Sequence, residues 1–175
     1  MSELICNKKI EIYIHSFEYL YGNYYMPENA HLDNSLLNHL VLLASDTKIT
    51  EKLDIYIWQK DKIDSIKFQT ALKNSFSDTI EGVKKEIRAN ELVALISLLV
   101  GILVGIIATR VAINNEQLSS VVLIAFWVFI WYSIETYIFD NFKLKLKIRR
   151  YRQIMNADII FFTIMHGKYG LKADL

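Results

Sequence analysis

The 175-residue chain contains one cysteine and one proline, and its 20 basic and 19 acidic residues nearly cancel. A lone Cys6 has no internal partner, which excludes a disulfide framework and dithiol chemistry and suits a reducing compartment. A formal net charge of +1 excludes a nucleic-acid binder driven by bulk charge. His15, His31, His39 and His166 fall at no metal-ligand spacing and none pairs with a suitably placed cysteine, so neither a metal, a cofactor nor a histidine-based enzyme is expected. Residues 1–60 lack a basic stretch leading into an apolar one, so no secretory signal is expected and the first apolar run must direct insertion.

Charge is also missing from two long runs. Residues 92–109 carry none, and twelve of these eighteen are Leu, Ile or Val, each worth about −0.3 to −0.6 kcal/mol on the insertion scale. Residues 118–139 carry only Glu135 and extend about 33 Å as a helix, enough to cross a hydrocarbon core. The connection Asn114-Asn115-Glu116-Gln117 is too short for anything but an antiparallel helical hairpin, with spans at 92–113 and 118–139. Lys73, Lys84, Lys85 and Arg88 precede the first span, and Lys143, Lys145, Lys147, Arg149, Arg150 and Arg152 follow the second, against Arg110 alone at the turn. The positive-inside rule then places both termini in the cytosol.

Within the hairpin, Gly101 and Gly105 form a GxxxG pair, which suits close helix approach within the hairpin or in a homodimer. With the turn centred near residue 115 or 116, facing residue numbers sum to about 231. On that reading Trp127 and Trp131 pack into the two glycine notches, and Glu135, one stripe further, meets Ser97. An intramembrane carboxylate points to a functional site, although Glu135 lies near enough to the boundary to snorkel to water.

The remainder reads as a small mixed domain. Ile10 to His15 and Leu53 to Trp58 alternate apolar and polar residues, as half-buried strands do. Asp33 can cap a helix that turns Leu36, Leu37, Leu40, Leu43 and Ala44 to a core, so this β-α-β start favours a parallel pair. The segment from Asp158 to Ile164 is apolar on both faces, which predicts a strand inside the sheet rather than at its edge. The expected fold is thus α+β: a transmembrane hairpin inserted in a three-stranded cytosolic domain. It divides into a β-α-β part (1–60), a stalk helix (61–91), the two spans, a basic juxtamembrane segment (140–155), a closing strand (156–165) and a tail (166–175). Phe76, Ile80, Val83 and Ile87 give the stalk an apolar stripe for the core or for coiled-coil pairing, and the helix is expected to continue into the first span.

From Phe142 to Ile148 the residues alternate with period two, so both an extended segment and a continued helix are open. In either form Lys143, Lys145, Lys147, Arg149 and Arg150 are placed to attract anionic lipid headgroups, at about 1 kcal/mol each near the surface, unless their role is only topogenic. The connection over residues 16–31 is rich in aromatics (Phe17, Tyr19, Tyr21, Tyr24 and Tyr25, with Gly22 and Pro27), which either bind a ligand or partner or cover the sheet.

The order of these parts, with Ile12-Tyr13-Ile14-His15-Ser16-Phe17-Glu18 at the start and Trp127-x3-Trp131-x3-Glu135-x4-Asp140 before the basic residues and Tyr151, resembles a family of uncharacterised bacterial two-span membrane proteins. The resemblance covers most of the chain. It implies a bacterial plasma-membrane location and draws attention to Glu135 and Asp140 without giving them chemistry. In that family the first loop is richer in proline and a proline commonly follows the position of Asp140, where this chain has Asn141-Phe142. The expected function is non-enzymatic: a membrane-tethered scaffold, sensor or interaction module, oligomeric, with the bilayer and an unknown protein as partners. The alternatives are a channel-like, membrane-perturbing effector and a membrane-embedded enzyme using Glu135 with Asp140.

Overall fold

The computed structural model describes residues 8–14, 20–22, 29–60, 63–112 and 116–164. Cys6, His15, Phe17, Tyr19, Tyr24, Tyr25, Pro27, Asn114, Asn115 and His166 lie outside them, as does the 166–175 tail. The chain is mixed helix and strand: β1 (Lys8–Ile14), α1 (Asn34–Ser45), β2 (Leu53–Gln59), α2 (Ser65–Ala112), α3 (Glu116–Ile134), a π-helical stretch (Glu135–Asp140), α4 (Asn141–Met155) and β3 (Asp158–Thr163). Two stretches, in α2 and from α3 into α4, are long and apolar enough to cross a membrane by length and composition. The described residues form two compact units, one of the residues up to Ile80 and from Ile148 onward, the other running from Glu81 to Lys147. The stalk and the basic segment expected from the sequence are therefore each divided between units.

In the first unit, β1, β2 and β3 form a parallel sheet in that order. Strict alternation along β2 buries Leu53, Ile55, Ile57 and Gln59 on one face and leaves Asp54, Tyr56 and Trp58 half-buried on the other. The parallel register sets Ile10 beside Ile55 and Ile12 beside Ile57, extending the buried face across β1. Against that face the unit buries Leu37, Leu40 and Ala44 of α1, Phe68, Leu72 and Phe76 of α2, and Ile154 of α4. Each of the leucine, isoleucine and phenylalanine side chains among them contributes about 1.5–3 kcal/mol by leaving water. The rings of Phe68 and Phe161 meet edge to face at 5.6 Å, and Phe76 tilts against Tyr151 at 5.5 Å.

Local polar signals fix where these helices start. The Asp33 carboxylate accepts the Ser35 amide at 2.8 Å and the Ser35 hydroxyl, satisfying a first-turn donor of α1. Asp64 does the same for α2 through the amides of Ile66 and Lys67. Beyond that start α2 is one unbroken helix of 48 residues.

β3 corrects one expectation, for it lies at the edge of the described sheet and not inside it. Its second apolar face is used differently: Phe162 stacks on Trp58 at 4.8 Å and on Tyr56 at 5.6 Å. Two apolar faces report that both sides of a strand are covered, and they carry no information on how many neighbours it pairs with. The pairing of β2 with β3 joins residues as far apart as Gln59 and Thr163, 104 positions in sequence, so everything from α2 to α4 is inserted between these two strands.

Candidate functional site

The second unit is organised around a stripe of small residues on α2. Ala94, Ser97, Gly101, Gly105 and Ala108 recur at spacings of three and four, which places them on one helix face. A Cβ added at Gly105 would lie 2.9 Å from the Phe126 ring, and one at Gly101 would lie 3.1 Å from both Phe129 Cβ and Ile130 Cδ1. The backbones approach this closely because neither glycine has a side chain. Three hydroxyls complete the seam: Ser97 donates to the Phe129 carbonyl (3.2 Å), Ser133 to that of Ala94 (2.8 Å) and Ser119 to that of Ala108 (3.4 Å).

The residues that meet the glycines are Phe126, Phe129 and Ile130, and not Trp127 and Trp131, both of which are 60% exposed. The facing numbers do sum to 231 for Gly105 with Phe126 and for Gly101 with Ile130. The tryptophans lie one position further along, and one position is about 100° around a helix, enough to turn them out of the seam. Glu135 turns outward with them and does not meet Ser97. It borders an open apolar groove of about 480 Å³ lined by Ile124, Trp127, Val128, Trp131, Tyr132 and Glu135.

From Ser133 to Tyr151 the next buried positions are Thr136, Asn141, Leu144, Ile148 and Tyr151. The interval of five between Thr136 and Asn141 is the π-helical stretch, whose wider turn rephases the buried face before α4 begins. Phe142 to Ile148 are helical, so the extended alternative falls. Asn141 is 1% exposed, and among the described residues neither its side-chain oxygen nor its nitrogen has a partner. Such a group costs about 1–3 kcal/mol. Asp140 pairs with Lys143 at 3.2 Å and not with Glu135.

The basic residues of α4 also separate by role. Lys145, Lys147 and Arg149 are exposed, Lys143 is held by Asp140, and Arg150 is turned to a structural task in the first unit. Its guanidinium donates to Thr47 Oγ1 (3.0 Å), to Gln153 Oε1 (2.8 Å) and to the Ser45 carbonyl (3.5 Å), and burial lowers its pKa. Arg150 is therefore not free to meet a lipid headgroup as the sequence reading expected. Gln153 completes the same clamp by donating to the carbonyls of Lys48 (2.9 Å) and Glu51 (2.6 Å).

Elsewhere in the first unit, His31 joins its loop to α2. Nε2 lies 2.9 Å from Asp78 Oδ2 and Nδ1 lies 2.7 Å from the Asn29 carbonyl. Tyr21, the one tyrosine of the aromatic connection within the described residues, pairs across a backbone bridge with Leu32 and carries Lys67 over its ring at 4.9 Å. Burial and nearby Asp64 raise its pKa.

The clamp and the Asn141 site escaped sequence reasoning for different reasons. Arg150 and Gln153 look like any other polar residues of a basic helix, whereas Asn141 becomes visible only once the seam is phased and the five-residue step appears. Comparison with protein-family models, with curated proteins and with solved structures finds no match to this chain.

Proposed function

We propose that the chain is a two-span protein of a bacterial plasma membrane that holds its parallel α/β unit on the cytosolic side, where the unit serves as a non-enzymatic sensing or interaction module. One observation carries the reading: in the most apolar window of each long helix only 22% and 11% of the residues are buried, so Leu95, Leu99, Leu103, Ile106, Val121 and Ile124 all face outward. A helix of a soluble core buries such residues, and one that is apolar all round requires an apolar surrounding. The charge distribution supports the orientation, with lysines and arginines flanking the two outer ends of the hairpin and Arg110 alone near its turn.

The test is extraction and labelling in a Cys6→Ser background. The chain should stay in the membrane pellet through an alkaline wash. A cysteine placed at Asn115 should react with an impermeant maleimide from outside, and one at Lys60 only after the cells are opened. Recovery in the soluble fraction, or labelling at Lys60 in intact cells, would overturn the reading.

A second reading, an oligomeric channel-like effector, is favoured by Glu135 on the outward face of the hairpin, because a carboxylate facing lipid is costly and a neighbouring copy would shield it. A strict monomer in mild detergent removes it.

A further inference from the structure

We propose that a groove of the first unit, formed by residues 49–53 and the last turns of α4, binds a phosphate group through Arg149 and Arg152. Three observations converge on it. The groove measures about 520 Å³, the size of a small-ligand site, and Arg149, Arg152, Lys52 and Gln153 are among its lining residues. Its walls are held before any ligand arrives, since Gln153 donates to the carbonyls of Lys48 and Glu51 and accepts from Arg150, which is anchored in turn on Thr47. Preorganisation of this kind removes an ordering cost from binding.

Charge accounting supplies the third observation. Lys143 is matched by Asp140, Lys52 by Asp158 at 2.6 Å and Lys48 by Glu51 at 3.9 Å. Among the described residues, Arg149 and Arg152 make no ion pair. Three residues apart on one helix, they share a face and line the same groove. Two guanidiniums offer planar, paired donors that match phosphate oxygens better than ammonium groups do. Lys52 lines the groove with its charge already matched by Asp158, while Glu51, also in the lining, opposes a fully ionised ligand and leaves an acceptor for a ligand hydroxyl. This chemistry fits the phosphate of an anionic lipid headgroup and that of a soluble phosphate monoester equally. Only the headgroup source rests on the two-span reading.

The experiment uses the full chain in lipid discs of phosphatidylcholine, titrated with inorganic phosphate in a calorimeter. Incorporation into discs tests the membrane reading separately from the groove. The wild type should bind saturably. Arg149→Ala and Arg152→Ala should each weaken binding by about tenfold, the loss expected for one charge-assisted contact. Both residues are exposed, so folding should survive, as circular dichroism will report. Lys145→Ala and Lys147→Ala, on the same helix but outside the groove, should leave affinity within about twofold, because exposed charges at a distance are screened. Glu51→Gln should tighten it. Repeating the titration in discs containing phosphatidic acid identifies the source: weaker phosphate binding means that the headgroup occupies the groove, and unchanged binding means a soluble ligand. Absence of saturable binding in phosphatidylcholine discs, or equal affinity of the wild type and the Arg149→Ala/Arg152→Ala variant, would overturn the proposal.

Discussion

Along β2, burial alternates residue by residue, and the large side chains of the α/β unit, Phe68, Phe76, Leu40 and Ile57, are the ones most completely enclosed. In the hairpin the size order is reversed: the glycines, Ala94, Ala108 and Ser97 lie inside, while Trp127, Trp131, Leu103 and Ile124 lie outside. On the two-span proposal the contrast follows from the surrounding medium. In water, apolar area drives assembly and the largest side chains gain most by burial. In an apolar medium that drive is absent, and helices associate through close backbone approach and hydrogen bonds, which favour small residues and hydroxyls at the contact. The seam with its three serine hydroxyls is of the second kind, and this agreement with the two-span proposal is independent of the hydropathy of the helices.

The contrast is broken most directly at the glycines. Leucine exceeds glycine in helix propensity by nearly 1 kcal/mol, which alone would make Gly101→Leu and Gly105→Leu stabilising. Steric overlap opposes this, because a Cβ at Gly105 already meets the Phe126 ring at 2.9 Å before the rest of the side chain is added. Overpacking costs about 1–3 kcal/mol per site, and with two sites on one seam the clash wins. The double variant should melt earlier in detergent and lose the disulfide that links cysteines placed at Ala94 and Ser133. Trp127→Leu and Trp131→Leu, which alter the outward face, should stay within about 0.5 kcal/mol of the wild type. Equal damage from the tryptophan variants would show that the large residues, not the small ones, hold this unit.

How much of this could be read from the sequence depended on the length of the repeat. Period two over six residues identifies β1 and β2 and their buried faces, and Asp33 marks the start of α1, because each signal is complete within one element. The length of the apolar runs likewise identifies the two long helices. The partners of the glycines could not be read with the same security. Their assignment requires the phase between two helices, and a one-residue error there exchanges Phe126 and Ile130 for Trp127 and Trp131. The small-residue stripe from Ala94 to Ala108 was present at helical spacing and would have identified the α2 side of the seam. For the π-helical stretch the sequence offers no comparable signal, since Glu135-Thr136-Tyr137-Ile138-Phe139-Asp140 is compatible with a regular helix.

Asn141 sharpens the comparison with a smaller effect of opposite sign. It is a polar side chain enclosed in the same unit as the small-residue seam, and among the described residues both of its polar atoms lack partners. Replacing an unsatisfied buried amide with an apolar side chain of similar volume removes a desolvation cost. Asn141→Leu should therefore raise the stability of the hairpin by about 1 kcal/mol, seen as a higher Tm in detergent. A loss of stability would mean that the amide is satisfied in the membrane, and that the π-helical turn is maintained for the sake of that contact.

Asp33 carries an effect of about the same size and separates the units by pH. Hydrogen bonds from the Ser35 hydroxyl and amide hold its carboxyl below the ordinary aspartate range. A depressed folded-state pKa means that the cap contributes its stability above the unfolded value and loses it as pH falls through the folded one. Asp33→Ala should therefore cost about 1 kcal/mol at neutral pH, the usual loss for an N-cap. The difference from wild type should close as the solution is acidified below the normal carboxylate range, while Asp33→Asn keeps the cap and removes its acid sensitivity. The cap is partly exposed, so salt should reduce the charged part of the effect and leave the hydrogen bond. The described seam contacts are serine hydroxyls on carbonyls and aromatic and aliphatic carbons on glycine, none of which titrates, so the seam should contribute the same stability to the hairpin across that acid range, seen as a melting temperature in detergent that does not follow the Asp33 titration. A hairpin melting temperature that followed the Asp33 titration would show that the two units do not melt independently, and the capping helix would then contribute to holding the hairpin closed.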